Sequence, residues 1–145
     1  MPNNNPQPRK ILVAVDGSES SYRAADFAIA LASRLQSELL FLYVIGASSA
    51  DPNYSIPANM VEGFEAMGNE TISKCESRSK DKNAKFKSSL VSGDPAQEIL
   101  KNAEKENCDC IVMGKRGLGR LERLLMGSVS AKVSNLSNVP VILVK

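Results

Sequence analysis

The sequence predicts an α/β protein built on a single five-stranded, parallel, open sheet with helices on both faces. Three observations carry that reading. Short, almost continuous apolar runs recur along the 145 residues, the pattern of strands buried on both faces of a parallel sheet. Stretches with apolar residues at helical spacing alternate with these runs. Capping residues, glycines and prolines mark the junctions, and such alternation is the signature of a doubly wound sheet.

Residues 1–9 hold three prolines and three asparagines without periodicity and are expected to form a disordered leader to one domain over 10–145. The run from Lys10 to Gly17, ending in Asp16-Gly17, is the first strand and its exit. Ser18, Ser20 and Ser21 are N-cap candidates, and Ala24, Phe27, Ala28, Leu31, Ala32 and Leu35 then mark one face of a helix. Leu39–Ile45 is the second strand, completing a βαβ unit. A long loop from Gly46 to Asn59 follows, then an amphipathic helix to about Lys82 with Met60, Phe64, Met67, Thr71 or Ile72, and Cys75 facing inward.

Lys85–Val91 is less apolar and suits a strand nearer an edge. Asp94 reads as an N-cap with Pro95 at the first helical position and Gln97 placed to close a capping box, and Ile99, Leu100 and Ala103 form the buried face. Cys110–Met113 is the fourth strand, a short helix spans about Ser128 to Asn138, and Pro140–Val144 is the fifth strand. No repeat of 20–50 residues is visible.

Composition excludes several function classes. Eighteen basic against sixteen acidic residues give a net charge of +2, too little for a nucleic-acid footprint, so no nucleic-acid partner is expected. No apolar run reaches the length of a membrane span, and the polar opening lacks a signal-peptide core, so the expected place is the cytoplasm, with no membrane partner. Histidine is absent, which removes Ser-His-Asp and Cys-His catalysis and the commonest metal ligand. Cys75, Cys108 and Cys110 are an odd set; Cys108 and Cys110 fit no common zinc spacing and read as small core residues.

Ligands of open parallel sheets bind beyond the carboxyl ends of the strands. Ala14 to Gly17, Val44 to Gly46, and Gly114 to Gly127 should converge there. The last segment is glycine-rich and leads from a buried strand into a helix N-terminus. Gly114, Gly117 and Gly127 are expected to let the backbone approach a ligand and adopt positive φ. Free N–H groups near Ser128 suit an anion such as a phosphate chain. Charge-assisted hydrogen bonds of about 1.5–3 kcal/mol each, with burial of an apolar base, suffice for the roughly 8 kcal/mol of micromolar affinity. The loop is neither a Walker A loop nor a dinucleotide fingerprint.

The spacing Gly114-x2-Gly117-x9-Gly127-Ser128 matches the ATP-binding signature G-x2-G-x9-G-[ST] of the universal stress protein family, and the chain resembles that family from Lys10 to Lys145. The first strand, Val91-x-Gly93-Asp-Pro-Ala and the closing Val139–Val144 share in the resemblance. It implies a Rossmann-like fold of the adenine nucleotide alpha hydrolase-like type. It also implies Val44 at the adenine edge, Ala14 lining the pocket, and Asp16 facing ribose or a nucleotide-bound Mg2+. Met113, Gly114, Gly117, Gly127, Ser128, Val129 and Ser130 would surround ribose and phosphates. Lys115 departs from the small residue usual at its position and either contacts phosphate or crowds the loop. Arg116, Arg120 and Arg123 are candidate phosphate contacts, but basic residues spaced over a surface loop more often form a solvated face; of the three, Arg116 alone lies within the motif. Asp16 is alternatively a cap of the first helix.

The function so implied is binding of ATP, ADP or AMP by a stress-response regulator or nucleotide sensor. The alternatives are slow ATP hydrolysis, with Asp16 holding magnesium, and a structural dimer that binds no nucleotide. A homodimer through Val139–Lys145 is expected, because an apolar strand at a sheet edge invites pairing.

Overall fold

Alternation of strand and helix along the chain gives β1 (Lys10–Ala14), α1 (Glu19–Leu35), β2 (Glu38–Gly46), α2 (Ala58–Asp81), β3 (Lys85–Gly93), α3 (Pro95–Lys105), β4 (Cys110–Gly114), α4 (Ser128–Leu136) and β5 (Val141–Val144). The computed structural model describes residues 7–46, 57–115 and 127–145. The strands form one sheet in the order β3-β2-β1-β4-β5, and all four pairings are parallel.

Side chains alternate across the sheet with the period of two that a pleated strand imposes. Ile11, Val13, Phe41, Tyr43 and Val112 face one way and pack with α1 and α2. Leu12, Leu40, Leu42, Ile111 and Met113 face the other and pack with α3 and α4. The central strands β1, β2 and β4 are therefore apolar almost throughout. The edge strand β3 alternates instead, exposing Lys85 and Lys87, whose charges discourage further pairing on that edge. β5 occupies the opposite edge, as its position in the sequence suggests. It starts one residue after Pro140, which lacks an N–H but accepts from the Ile111 N–H.

Two helix faces differ from their expected stripes. In α1 the buried residues are Ser21, Ala24, Ala25, Ala28, Ile29 and Ala32, so the face is rotated and Phe27 is left 45% exposed. Alanines let the helix lie close to the sheet, and that close approach selects the small-residue side. In α2 Gly68, Thr71, Ile72, Cys75 and Ser79 are buried, while Met60 and Met67 are half in solvent. A 24-residue helix is about 36 Å long, against about 30 Å for a nine-residue strand, so it is longer than the strand it packs on, and its buried residues begin at Gly68.

Local capping is mostly as predicted. Ser18 Oγ accepts from the Ser21 N–H and Asp94 Oδ2 from the Gln97 N–H. Among the described residues the Gln97 side chain makes no return bond. Gln36, Asn83 and Asn107 take the left-handed conformation just beyond α1, α2 and α3, at helix ends where the sequence offers no glycine. Residues 7–9, grouped with the leader by composition, are tied to the domain. Asp109 Oδ2 accepts from the Arg9 and Lys10 N–H groups, and Ser37 Oγ donates to the Pro8 carbonyl.

Candidate functional site

Strand order reverses between β1 and β4. From β1 the chain proceeds to β2 and β3 on one side, and from β4 to β5 on the other, so the connections leaving these neighbours part and open a crevice at their carboxyl ends.

On the β1 side the chain turns at Asp16-Gly17. Asp16 Oδ1 accepts from the Ser18 N–H at 2.9 Å, and the Asp16 N–H donates to Ser21 Oγ at 3.3 Å. The cap of α1 is therefore Ser18, and Asp16 shapes the turn before it rather than capping the helix. Its half-buried carboxylate lies close enough to Tyr43 to add to the upward shift of that hydroxyl's pKa, which burial mainly causes. Gly17 has φ +86°, and an added Cβ would sit 3.1 Å from Thr71 Oγ1.

On the β4 side, Gly114 ends the strand against α1. A Cβ there would lie 2.3 Å from Ser20 Oγ and 3.0 Å from the Ser20 carbonyl carbon. The Lys115 N–H donates to the Val144 carbonyl at 2.8 Å, and the Lys115 carbonyl accepts from the Gly127 N–H at 3.0 Å. Gly127 is the N-cap of α4 and supplies no side-chain cap. The N–H groups of Ser128 and Val129 have no acceptor among the described residues. They carry the partial positive charge of the helix N-terminus.

Positive φ, expected at the motif glycines, is not found at the two that are described. Gly127 has φ −63° and ψ 153°, an extended geometry open to any residue, and among the described residues the glycines with φ between +20° and +160° are Gly17 and Gly93. Close packing, seen directly at Gly114, is the constraint instead.

Ala14, Val44, Met113 and Val129 all belong to the apolar cluster on the α3/α4 face, with Met113 buried and the others half-buried. The β1 register sets Ala14 beside Leu42 and Met113, so these side chains form a continuous wall at the carboxyl end of the sheet. The structure thus gathers Ala14, Asp16, Val44, Met113, Gly114, Lys115, Gly127, Ser128, Val129 and Ser130 at one end of the sheet. Arg116 and Gly117, with Arg120 and Arg123, lie outside the described residues. Gly17 falls in the segment expected at the crevice, but its positive φ, and the packing of Ser20 against Gly114, are evident only in the structure. The Asp-Gly pair after a strand was the available signal for Gly17.

Among the described residues no group of three His, Cys, Asp or Glu side chains is arranged to hold a metal. The three cysteines are buried, and burial pushes the Cys75 thiol up to about 12, that of Cys108 to about 11, and Cys110 in the same direction. They are protonated packing groups rather than nucleophiles. Among the described residues no helix is long and apolar enough to cross a membrane.

A model of the universal stress protein family matches residues 8–145. The universal stress protein YxiE of Bacillus subtilis is 33% identical over 145 residues, covering 94% of this chain and 98% of that protein. The structure of UspA from Lactobacillus plantarum has a TM-score of 0.79 at 26% identity, covering 94% of this chain and 97% of that one. A universal stress protein solved in complex with cAMP has a TM-score of 0.74 at 28% identity, covering 96% and 98%.

Proposed function

Because the chain belongs to the universal stress protein family, we propose that it binds an adenine nucleotide, ATP foremost, between β1 and β4, and acts as a nucleotide sensor or stress-response regulator. The observation that carries this reading is the N-terminus of α4, whose Ser128 and Val129 N–H groups have no acceptor among the described residues, set at the end of the G-x2-G-x9-G-S motif and beside the wall of Ala14, Val44, Met113 and Val129. A phosphate group matches the first feature and a flat, largely apolar base the second. A relative solved with cAMP supports the adenine nucleotide class.

In this reading Val44 lies at the base, Asp16 faces the ribose, and Gly114, Gly127, Ser128 and Val129 surround the phosphates with Lys115, Arg116 and Gly117. The Asp16 carboxylate also suits a Mg2+ ion brought in with the nucleotide. The C-terminal segment Val139–Lys145, which carries β5 at the sheet edge, would pair with a second copy of the chain.

Calorimetric titration with ATP, ADP, AMP and cAMP tests the proposal. ATP at a hundred times its dissociation constant should stabilise the fold by about 2.7 kcal/mol. Asp16→Asn keeps an acceptor for the Ser18 N–H while removing the charge, and should weaken ATP binding about tenfold, or about 1.4 kcal/mol. Absence of heat and of thermal stabilisation with all four nucleotides at millimolar concentration would refute it.

A further inference from the structure

Motif position alone makes Ser130 a phosphate ligand, but its surroundings give it other work. The residue is 2% exposed. Its Oγ lies 2.6 Å from the Lys115 carbonyl oxygen and 3.0 Å from that of Gly127. A hydroxyl has one proton, and the shorter contact identifies Lys115 as its main acceptor. The same carbonyl receives the Gly127 N–H at 3.0 Å, while the Lys115 N–H is held by Val144. Two donors from the start of α4 therefore meet one carbonyl at the tip of β4, and that tip is fixed in turn by β5.

We infer that Ser130 is a positioning residue: its hydroxyl pins the first turn of α4 to the end of β4, aims the Ser128 and Val129 N–H groups at the phosphates, and does not itself bind them. This rests on the nucleotide reading of the site. Without the hydroxyl the Lys115 carbonyl keeps one of its two donors, and the helix start gains freedom to tilt about that remaining bond. The loss falls on the phosphate end of the ligand. The base, held by strand side chains, is untouched.

The test compares wild type with Ser130→Ala, Ser130→Cys and Ser130→Thr, using ATP and adenosine as probes in calorimetric competition. Ala and Cys should weaken ATP about tenfold and leave adenosine within about twofold, and Thr, which restores the hydroxyl, should recover ATP binding. Should Ser130→Ala fail to fold, Cys, of similar volume but a weak donor, decides. Carbonyl 13C spectra separate positioning from direct ligation. Ser130→Ala should shift the Lys115 carbonyl signal in the nucleotide-free protein, and ATP should not move the wild-type signal to that value. If wild type binds ATP and the Ala and Cys variants bind it equally well, the inference fails while the nucleotide reading stands. It fails also if adenosine binding is lost in parallel, or if ATP draws the wild-type carbonyl signal to the Ala position. If wild type binds no nucleotide, the parent reading fails first.

Discussion

Gly114→Ala should destabilise the protein although the motif would assign this glycine to the ligand. An alanine Cβ would stand 2.3 Å from Ser20 Oγ and 3.0 Å from both the carbonyl carbon and Cβ of Ser20. The hydroxyl can swing aside only by giving up its 3.2 Å bond to the Val144 carbonyl, and the backbone carbon cannot swing at all. The start of α1 must therefore move away from β4. Overpacking of this kind costs about 1–3 kcal/mol and loss of the hydrogen bond about 1 more, together about 2–4 kcal/mol. At this chain length the melting temperature should fall by roughly 5–15 °C. Urea unfolding followed by circular dichroism measures the difference, provided the slope with denaturant is unchanged. A Gly114→Ala variant within about 0.5 kcal/mol of wild type would show that α1 and β4 do not meet as described.

Other outcomes follow from neighbouring features. Gly63 lies in α2 with nothing among the described residues within 4 Å of an added Cβ, so Gly63→Ala should stabilise by about 0.5–1 kcal/mol. Five residues on, Gly68→Ala should destabilise, because its Cβ would come 2.6 Å from Leu90 Cδ1 and 2.8 Å from Tyr43 Cδ1; urea midpoints check both. The folded thiols of Cys75 and Cys108 titrate near 12 and 11 against an ordinary 9.0, so the folded state retains protons that the unfolded state releases. Their contribution is intact below pH 9 and is lost as pH rises toward 12, and a thiol reagent at pH 8 should label them only at the rate of opening. Light scattering at tens of micromolar should give the mass of a dimer, and a monomer there would remove the β5 pairing.

Strands announced themselves because burial on both faces of a central parallel strand demands apolar residues in unbroken runs, as in Leu39–Ile45. The helix starts at Ser18 and Asp94 were equally legible, since a cap is a contact over two or three residues and its chemistry is written locally. The glycine spacing likewise marked the end of the sheet where the candidate site lies. The rotation of α1, which turns Phe27 outward and Ala25 and Ile29 inward, could not be read this way. Helical spacing defines a stripe, but the surface packed against it chooses among neighbouring stripes. Nor could sequence show that Gly114 makes room for Ser20, that positive φ falls at Gly17 rather than Gly127, or that the Ser130 hydroxyl is spent on the Lys115 carbonyl. Patterning along the chain determined the elements, their order and the family. Distances between residues far apart in sequence decided which side chains face the crevice and which only hold it in shape, because those distances exist only once the layers have packed.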